Sequence, residues 1–232
     1  MEKKYTYEDF LGIMSTLLGE GGCPWDREQT HESLRRYMIE EAYEAVEAIN
    51  NNDMKNLCEE LGDLLLQIVF HAEIERKKGV FDMGDVVDGI SRKMVSRHTH
   101  IFGTDRADTP EAVTKTWEAN KMAEKGYKTR TEVLRAVPRS LPAIMRAEKV
   151  LDKSGICKEG SETADGCMEA IKAQVADIAE NKADFDAMET KIGELLLASV
   201  ELSTIFKINP EFALTKAVEQ FINKFEYIES DK

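Results

Sequence analysis

A chain of 232 residues, 42% hydrophobic and 32% charged, is long enough for one large or two small domains with a substantial core. The formal net charge of -13 argues against a general affinity for nucleic acid polymers or anionic membranes. The apolar runs are too short to span a bilayer, and the start of the chain is too polar for a signal peptide. The four scattered cysteines predict free thiols in a reducing compartment, so we expect a cytoplasmic protein. These cysteines are Cys23, Cys58, Cys157 and Cys167.

The apolar residues recur mostly at helical spacing, which predicts an all-α protein. The first helix is predicted over residues 7–18, and the glycine-containing stretch 19–26 is predicted as a loop. A second helix over 30–50 and a third over 53–78, which Gly79 ends, are separated by an Asn-rich turn. A turn this short predicts that these two helices form an antiparallel hairpin.

Two more helices are predicted before the middle of the chain. Asp82 or Asp85 begins a fourth helix that extends to about His100. Thr109 and Pro110 have the residue types that favour an N-cap and a first helical position, so they predict the start of a fifth helix.

Each helix of the predicted hairpin carries a pair of acids that points towards its apolar face. Successive helical residues rotate by about 100°, which places Glu41 and Glu44 on one face of the second helix. Glu60 and Asp63 occupy the same angular positions on the third helix. Neighbouring acids fall on the polar sides and are predicted to be solvated; these are Glu40, Glu47 and Glu59.

Four carboxylates brought together on facing helices require a cation or protons, because unpaired buried charge is costly. Residues three apart on a helix lie close enough for each helix to offer two oxygen ligands to one ion. Mg²⁺ suits an all-oxygen site that lacks Cys and His, with Mn²⁺ as the alternative ion. The sequence therefore predicts a magnesium site on the hairpin.

The stretch 123–139 is predicted as a linker, after which the sequence pattern repeats. Residues 141–145 echo 11–14, and residues 191–196 echo 60–65. In this alignment the counterparts of Glu41, Glu44, Glu60, Asp63 and Lys93 are, in that order, Gln174, Asp177, Lys191, Glu194 and Gln220. The second copy keeps the apolar skeleton but loses metal-binding charge, which supports a specific role for the acids of the first copy.

Two cations on the fourth helix face one direction, because Lys93 and Arg97 are four residues apart. On an acidic protein they are suited to a polyphosphate bridged by Mg²⁺, although a solvated pair making surface ion pairs remains the alternative. His98 and His100 lie nearby in sequence.

Other side chains are candidates for the border of the ligand pocket. Tyr37 and Asn56 sit one turn before the first acid of each pair, where packing or capping is the alternative role. Trp25 and Trp117 can stack on a base or act as core anchors. Two histidines have no evident carboxylate partner and are predicted to be structural; these are His31 and His71.

Taken together, these residues closely resemble the MazG nucleoside triphosphate pyrophosphohydrolases over the whole chain. The resemblance rests on the segment 23–31 (CPWDREQTH), Glu40-Glu41-x-x-Glu44, Glu60-x-x-Asp63, Lys93-x-x-x-Arg97-His98 and Trp117-Glu118. It implies an all-α homodimer of tandem helical repeats that cleaves nucleoside triphosphates to the monophosphate and pyrophosphate in a Mg²⁺-dependent reaction. The repeats would be a catalytic copy over 1–122 and a degenerate copy over 140–232 that serves as scaffold or dimer contact.

Carried over residue by residue, the resemblance assigns the metal to Glu41, Glu44, Glu60 and Asp63. It assigns phosphate binding to Lys93 and Arg97 and places Trp117 beside the nucleotide. Either Glu41 or Glu44 would take the proton of the attacking water.

Two other classes remain open at this point. A carboxylate bundle can hold a redox di-iron centre, but that architecture uses Glu-x-x-His pairs, which neither acid pair provides. The chain can also be a non-catalytic helical nucleotide sensor or a partner-binding protein. Phosphate release coupled to a pyrophosphatase separates catalysis from binding, and an optical spectrum reveals iron.

Overall fold

A computed structural model describes residues 3–155, 164–180 and 185–230 of the chain. All regular secondary structure in these segments is helical, which confirms the predicted all-α class. The chain divides into two compact units, Met1–Trp117 and Glu118–Lys232. None of the helices in these segments is both long and apolar enough to cross a membrane.

Six helices lie entirely within the part of the first unit that the structure describes. They are α1 (Tyr7–Leu18), α2 (Pro24–Glu28), α3 (His31–Asn50), α4 (Met54–Lys78), α5 (Met83–Arg97) and α6 (Thr99–Phe102). A seventh, α7 (Pro110–Lys125), begins in the first unit and ends in the second. Two predictions need correction. The expected loop 19–26 contains the start of α2, where Pro24 takes the first helical position, and the fourth helix stops at Arg97 because His98 leaves the helical conformation.

The hairpin of α3 and α4 is encoded by local caps. Thr30 and Ser33 form a reciprocal capping box at the start of α3, and Asp53 accepts hydrogen bonds from two backbone N–H groups at the start of α4. Between them Asn52 adopts a φ of 55°, a conformation that asparagine tolerates better than most residues. Gly79 ends α4 with a φ of 70°.

A hydrophobic core joins α1, α3 and α4. Its buried members are Met14, Leu18, Leu34, Val69, Phe70 and Ile74. This core holds one end of the hairpin in place, so that the acid pairs on the remaining turns of α3 and α4 project from a packed scaffold.

Within its described residues, the second unit contains the end of α7 and five further helices. They are α8 (Arg130–Arg135), α9 (Ala143–Ser154), α10 (Ala164–Glu180), α11 (Phe185–Ile205) and α12 (Pro210–Ser230). The stretch 123–139 that was predicted as a linker contains α8 and two buried residues, Val133 and Val137. The predicted domain limits stay predictions.

The predicted repeat pairs α3 and α4 with α10 and α11, which also pack against each other. Leu34 and its aligned residue Cys167 are both buried, and so are Val69 and its aligned residue Val200. Cys23, Cys58 and Cys167 are free thiols, whereas Cys157 lies outside the described residues. The repeat itself stays a prediction.

Candidate metal centre

Three of the four predicted metal ligands converge in the α3–α4 hairpin. Glu41 of α3 and Glu60 and Asp63 of α4 each offer one carboxylate oxygen, and these oxygens lie within 4.8 Å of one another. Glu44 is exposed and lies outside this group. The antiparallel pairing of α3 and α4 therefore brings together residues from both predicted acid pairs.

The electrostatics of this cluster favour a positive charge. Burial raises the pKa of Glu41, and the negative charges of Asp63, Glu44 and Glu60 raise it further. Burial also raises the pKa of Glu60, with Glu44 and Asp63 adding to the effect. Because Glu44 contributes to both shifts, its charge reaches the cluster although its carboxylate is not one of the three converging groups.

The donor set of the cluster fits a hard divalent cation. Its three converging groups are carboxylates, and oxygen ligands are the ones that Mg²⁺ and Ca²⁺ prefer. Glu60 is only 7% exposed, and an interaction with the side chain of Asn56 partly offsets the rise of its pKa. Asn56, which the sequence predicts at the pocket border, therefore lies against a candidate ligand.

Tyr37, the other residue predicted at the pocket border, packs against the core of the first unit. The ring of Trp25 meets the Tyr37 ring edge-on, with 6.4 Å between the centroids. Trp25 is 53% exposed, so one of its surfaces is open to a ligand. Arg36 donates a hydrogen bond to the hydroxyl oxygen of Tyr37 over 3.2 Å.

The two predicted phosphate-binding residues lie in different environments. Arg97 is 6% exposed, and its guanidinium lies 5.2 Å from the centre of the Trp117 ring. His98 also contacts this ring, in an edge-on arrangement with 4.9 Å between the ring centroids. Lys93 is partly exposed. Arg97 and Trp117, which the sequence predicts at one ligand, are thus in contact with each other.

A histidine pair that the sequence did not connect lies further along the hairpin. The Nδ1 atoms of His31 and His71 are 2.6 Å apart, and Nε2 of His31 lies 2.6 Å from a carboxylate oxygen of Glu75. The expectation that His31 has no carboxylate partner is therefore wrong. Glu75 lies one helical turn after His71 and opposite the start of α3, so the hairpin register was the available signal.

Two pKa values are lowered in this network, whereas those of Glu41 and Glu60 in the acid cluster are raised. Hydrogen bonds from Lys78 and His31 lower the pKa of Glu75. Burial lowers the pKa of His71, and the charge of His31 lowers it further. The network is consequently most favourable with Glu75 ionised and His71 neutral.

The fold and the cluster define a class: an all-helical protein whose central hairpin offers carboxylates to a divalent metal ion. Comparison with known proteins gives the family. Residues 29–102 match the model of the MazG nucleotide pyrophosphohydrolase domain, and this range contains the whole candidate cluster. The chain belongs to the MazG family.

Relatives that match over most of this chain support this assignment. The chain is 38% identical over 223 residues to the nucleoside triphosphate pyrophosphohydrolase/pyrophosphatase MazG of Thermotoga maritima, covering 96% of this chain and 85% of the relative. It is 37% identical to the nucleoside triphosphate pyrophosphohydrolase of Escherichia coli K12, covering 94% of this chain and 85% of the relative. It is also 38% identical to the uncharacterized protein YabN of Bacillus subtilis, covering 98% of this chain and 48% of YabN.

Proposed function

We propose that this chain is a Mg²⁺-dependent nucleoside triphosphate pyrophosphohydrolase that releases the nucleoside monophosphate and pyrophosphate. The observation that carries the proposal is the convergence of carboxylate oxygens from Glu41, Glu60 and Asp63 within 4.8 Å, in a chain of the MazG family. The names of the Thermotoga and Escherichia relatives support the reaction type. The substrates occur in the cytoplasm, where we place the protein.

Glu41, Glu60 and Asp63 would hold the ion, and Glu44 would complete the set from the exposed side of α3. When bound, Mg²⁺ supplies a Lewis acid that polarises phosphate oxygens and lowers the pKa of a coordinated water. The acids on both helices would hold the ion between α3 and α4, so that the substrate phosphates would meet the protein in one orientation.

The reaction adds one water across a phosphoanhydride bond. The water oxygen forms a bond to the α-phosphorus, the bond from the α-phosphorus to the bridging oxygen of the β-phosphate breaks, and pyrophosphate leaves. Glu41 or Glu44 accepts the proton of the water.

Lys93 and Arg97 would bind phosphate oxygens and stabilise the charge that develops on the departing pyrophosphate. The contact of Arg97 with Trp117 supports a rigid placement of the guanidinium. Trp117 would then lie beside the nucleotide, as the family resemblance implies.

We also propose that the chain assembles as a homodimer. The α12 helix exposes a row of large apolar side chains, among them Phe221 at 63% and Phe225 at 51% exposure, with ring centroids 5.0 Å apart. Exposed apolar surface of this kind is typical of subunit contacts. Light scattering after gel filtration tests the state, and Phe221→Glu should shift the species towards the monomer while Glu219→Lys, a control on the same helix, should not.

The central experiment measures both products. Purified protein is incubated with nucleoside triphosphates and Mg²⁺, and monophosphate and pyrophosphate are quantified by chromatography. Equal amounts of the two products, abolished by a chelator and restored by Mg²⁺, are expected. Nucleotide binding without any product would instead support the nucleotide-sensor alternative.

A further inference from the structure

Gln67 is a buried polar residue that the functions described so far do not use. It lies on α4 and is only 6% exposed. Its amide oxygen Oε1 is buried, and in the part of the chain that the structure describes it accepts no hydrogen bond. A buried acceptor without a donor destabilises the folded chain, so a donor supplied from outside the chain would stabilise this site.

The position of Gln67 relates it to the acid cluster. It follows Asp63 by four residues and Glu60 by seven, so the three side chains leave α4 from one face. Four residues span about 6 Å along a helix axis, so Gln67 lies one turn beyond the candidate metal ligands. The unpartnered oxygen therefore lies along the same line of contact between α3 and α4 as the acid cluster, and we call this line the seam.

The register of the hairpin identifies what faces Gln67. Glu41 meets Asp63 in the acid cluster, and His31 meets His71 in the histidine pair. Gln67 lies midway between Asp63 and His71, so the opposing turn of α3 is the one that carries Tyr37. The seam thus continues from the metal ligands through a buried amide towards an aromatic ring.

The second half of the chain provides an internal comparison. In the predicted repeat alignment Gln67 corresponds to Ala198 and Tyr37 to Ala170, both small and apolar. The core positions do not change in this way, because Val69 and its counterpart Val200 are both buried and apolar. The hairpin of the second unit therefore packs without an amide at this place, and the half that lacks the counterparts of Glu41 and Glu60 also lacks Gln67.

We propose that Gln67 is a specificity-determining residue that accepts a hydrogen bond from the nucleoside part of the substrate. The proposal rests on the proposed function. Phosphate oxygens accept hydrogen bonds, whereas a nucleoside offers N–H groups on the base and O–H groups on the sugar. With the phosphates at the acid cluster, the nucleoside extends along the seam and brings such a donor to Oε1.

A site that pairs a buried acceptor with a substrate donor discriminates against substrates that lack the donor. Two kinds of donor share this chemistry, an amino group of the base and a hydroxyl of the sugar. Matched substrates separate them. Adenosine and purine riboside triphosphates differ only in the amino group, as do cytidine and pyrimidin-2-one riboside triphosphates, and each ribonucleotide differs from its 2′-deoxy form only in one hydroxyl.

The test compares kcat/KM for these pairs in the wild-type protein and in Gln67→Met, which keeps the length of the side chain. We expect the wild type to favour the donor-bearing member of one kind of pair by at least about tenfold. In Gln67→Met this preference falls to about twofold or less, while kcat/KM for the donor-lacking member changes little. The thermal stability of the substrate-free variant should equal or exceed that of the wild type, because an unpaired buried oxygen is removed.

Gln174→Met is the matched control, because Gln174 also carries a buried amide oxygen without a partner but lies in the second unit. It should leave the preference unchanged. A uniform loss of kcat/KM for every substrate in Gln67→Met, or a preference that survives it, overturns the proposal, as does a wild type without preference in either kind of pair. The proposed function fails separately, by the absence of Mg²⁺-dependent product with every triphosphate.

Discussion

The ammonium nitrogen of Lys191 lies 2.6 Å from a carboxylate oxygen of Asp177 in the second unit. In the predicted repeat alignment Lys191 corresponds to Glu60 of the first unit, and Asp177 corresponds to Glu44. The lysine supplies within the chain a positive charge that a metal ion would supply to the acids of the first half. A cation in this place repels a second cation, in addition to the loss of one carboxylate ligand.

We therefore predict that the second half takes no part in the metal-dependent reaction. The double substitution Asp177→Ala with Glu194→Ala should leave the Mg²⁺-dependent rate within about twofold of the wild-type rate, because no ion is displaced. The corresponding pair in the first half, Glu44→Ala with Asp63→Ala, is the control and should remove most of the rate. If the second-half variant lost most of its activity while its oligomeric state stayed intact, the second half would have to contribute to the chemistry.

The candidate ligands give the second prediction. Glu41→Gln, Glu60→Gln and Asp63→Asn should each reduce turnover at least ~100-fold, since each removes a charged ligand from the ion that organises the reaction. Steady-state kinetics at saturating Mg²⁺ measures the effect. Glu40→Gln and Glu59→Gln are the controls, because both residues are exposed neighbours of the candidate ligands, and they should retain nearly full activity.

The same variants test the electrostatics of the cluster. Burial and like charge raise the pKa of Glu41 and Glu60, so neutralising one group relieves repulsion in the metal-free protein. Thermal stability without metal should therefore rise or stay level, whereas added Mg²⁺ should stabilise the variants less than the wild type. Equal stabilisation by Mg²⁺ in all three would contradict the ligand assignment.

The third prediction concerns the phosphate-binding residues. Lys93→Ala and Arg97→Ala should weaken triphosphate binding more than Mg²⁺ binding, because their proposed partners are phosphate oxygens. Arg97→Ala should also lower the melting temperature, since its buried guanidinium packs on Trp117. Calorimetry measures the affinities, and Arg92→Ala, which removes an exposed arginine paired with Asp88, is the control. Unchanged nucleotide affinity in both variants would show that Lys93 and Arg97 do not bind phosphate.

The histidine pair gives the fourth prediction, on the pH dependence of stability. The pKa of His71 is lowered from 6.5, so between these two values the unfolded chain binds more protons than the folded chain. The free energy of unfolding therefore falls as the pH drops through this range. His71→Leu removes the titrating group and should lose less melting temperature than the wild type between about pH 7.5 and about pH 5.5. An equal loss of melting temperature in the variant and the wild type over this pH range would contradict the assignment of the effect to His71.

Local signals predicted the parts of the first unit that carry the site. The starts of α3 near Thr30 and of α4 near Asp53, the end of α4 at Gly79 and the helical start at Pro110 all follow from residue types near the helix ends. The wheel positions of Glu41, Glu60 and Asp63 predicted their convergence, because one short turn fixes how α3 pairs with α4.

The features that the sequence missed depend on packing between distant segments. The partnership of His31 with Glu75 needs the register of the whole hairpin, and the contact of Arg97 with Trp117 needs the path of the chain between α5 and α7. Val133 of α8 is buried because other parts of the fold pack against it. Without knowledge of that packing, a stretch with a glycine and a proline near its ends is interpreted as a linker.

The candidate ligands Glu41, Glu60 and Asp63 come from two consecutive helices joined by residues 51–53. Contacts so close in sequence require little loop-closure entropy and tend to form early during folding. The step that assembles the acids is therefore also the step in which their like charges first approach, before the rest of the fold exists to hold them. We expect this repulsion to slow refolding, so neutralising one acid or raising the ionic strength should accelerate the appearance of the native chain.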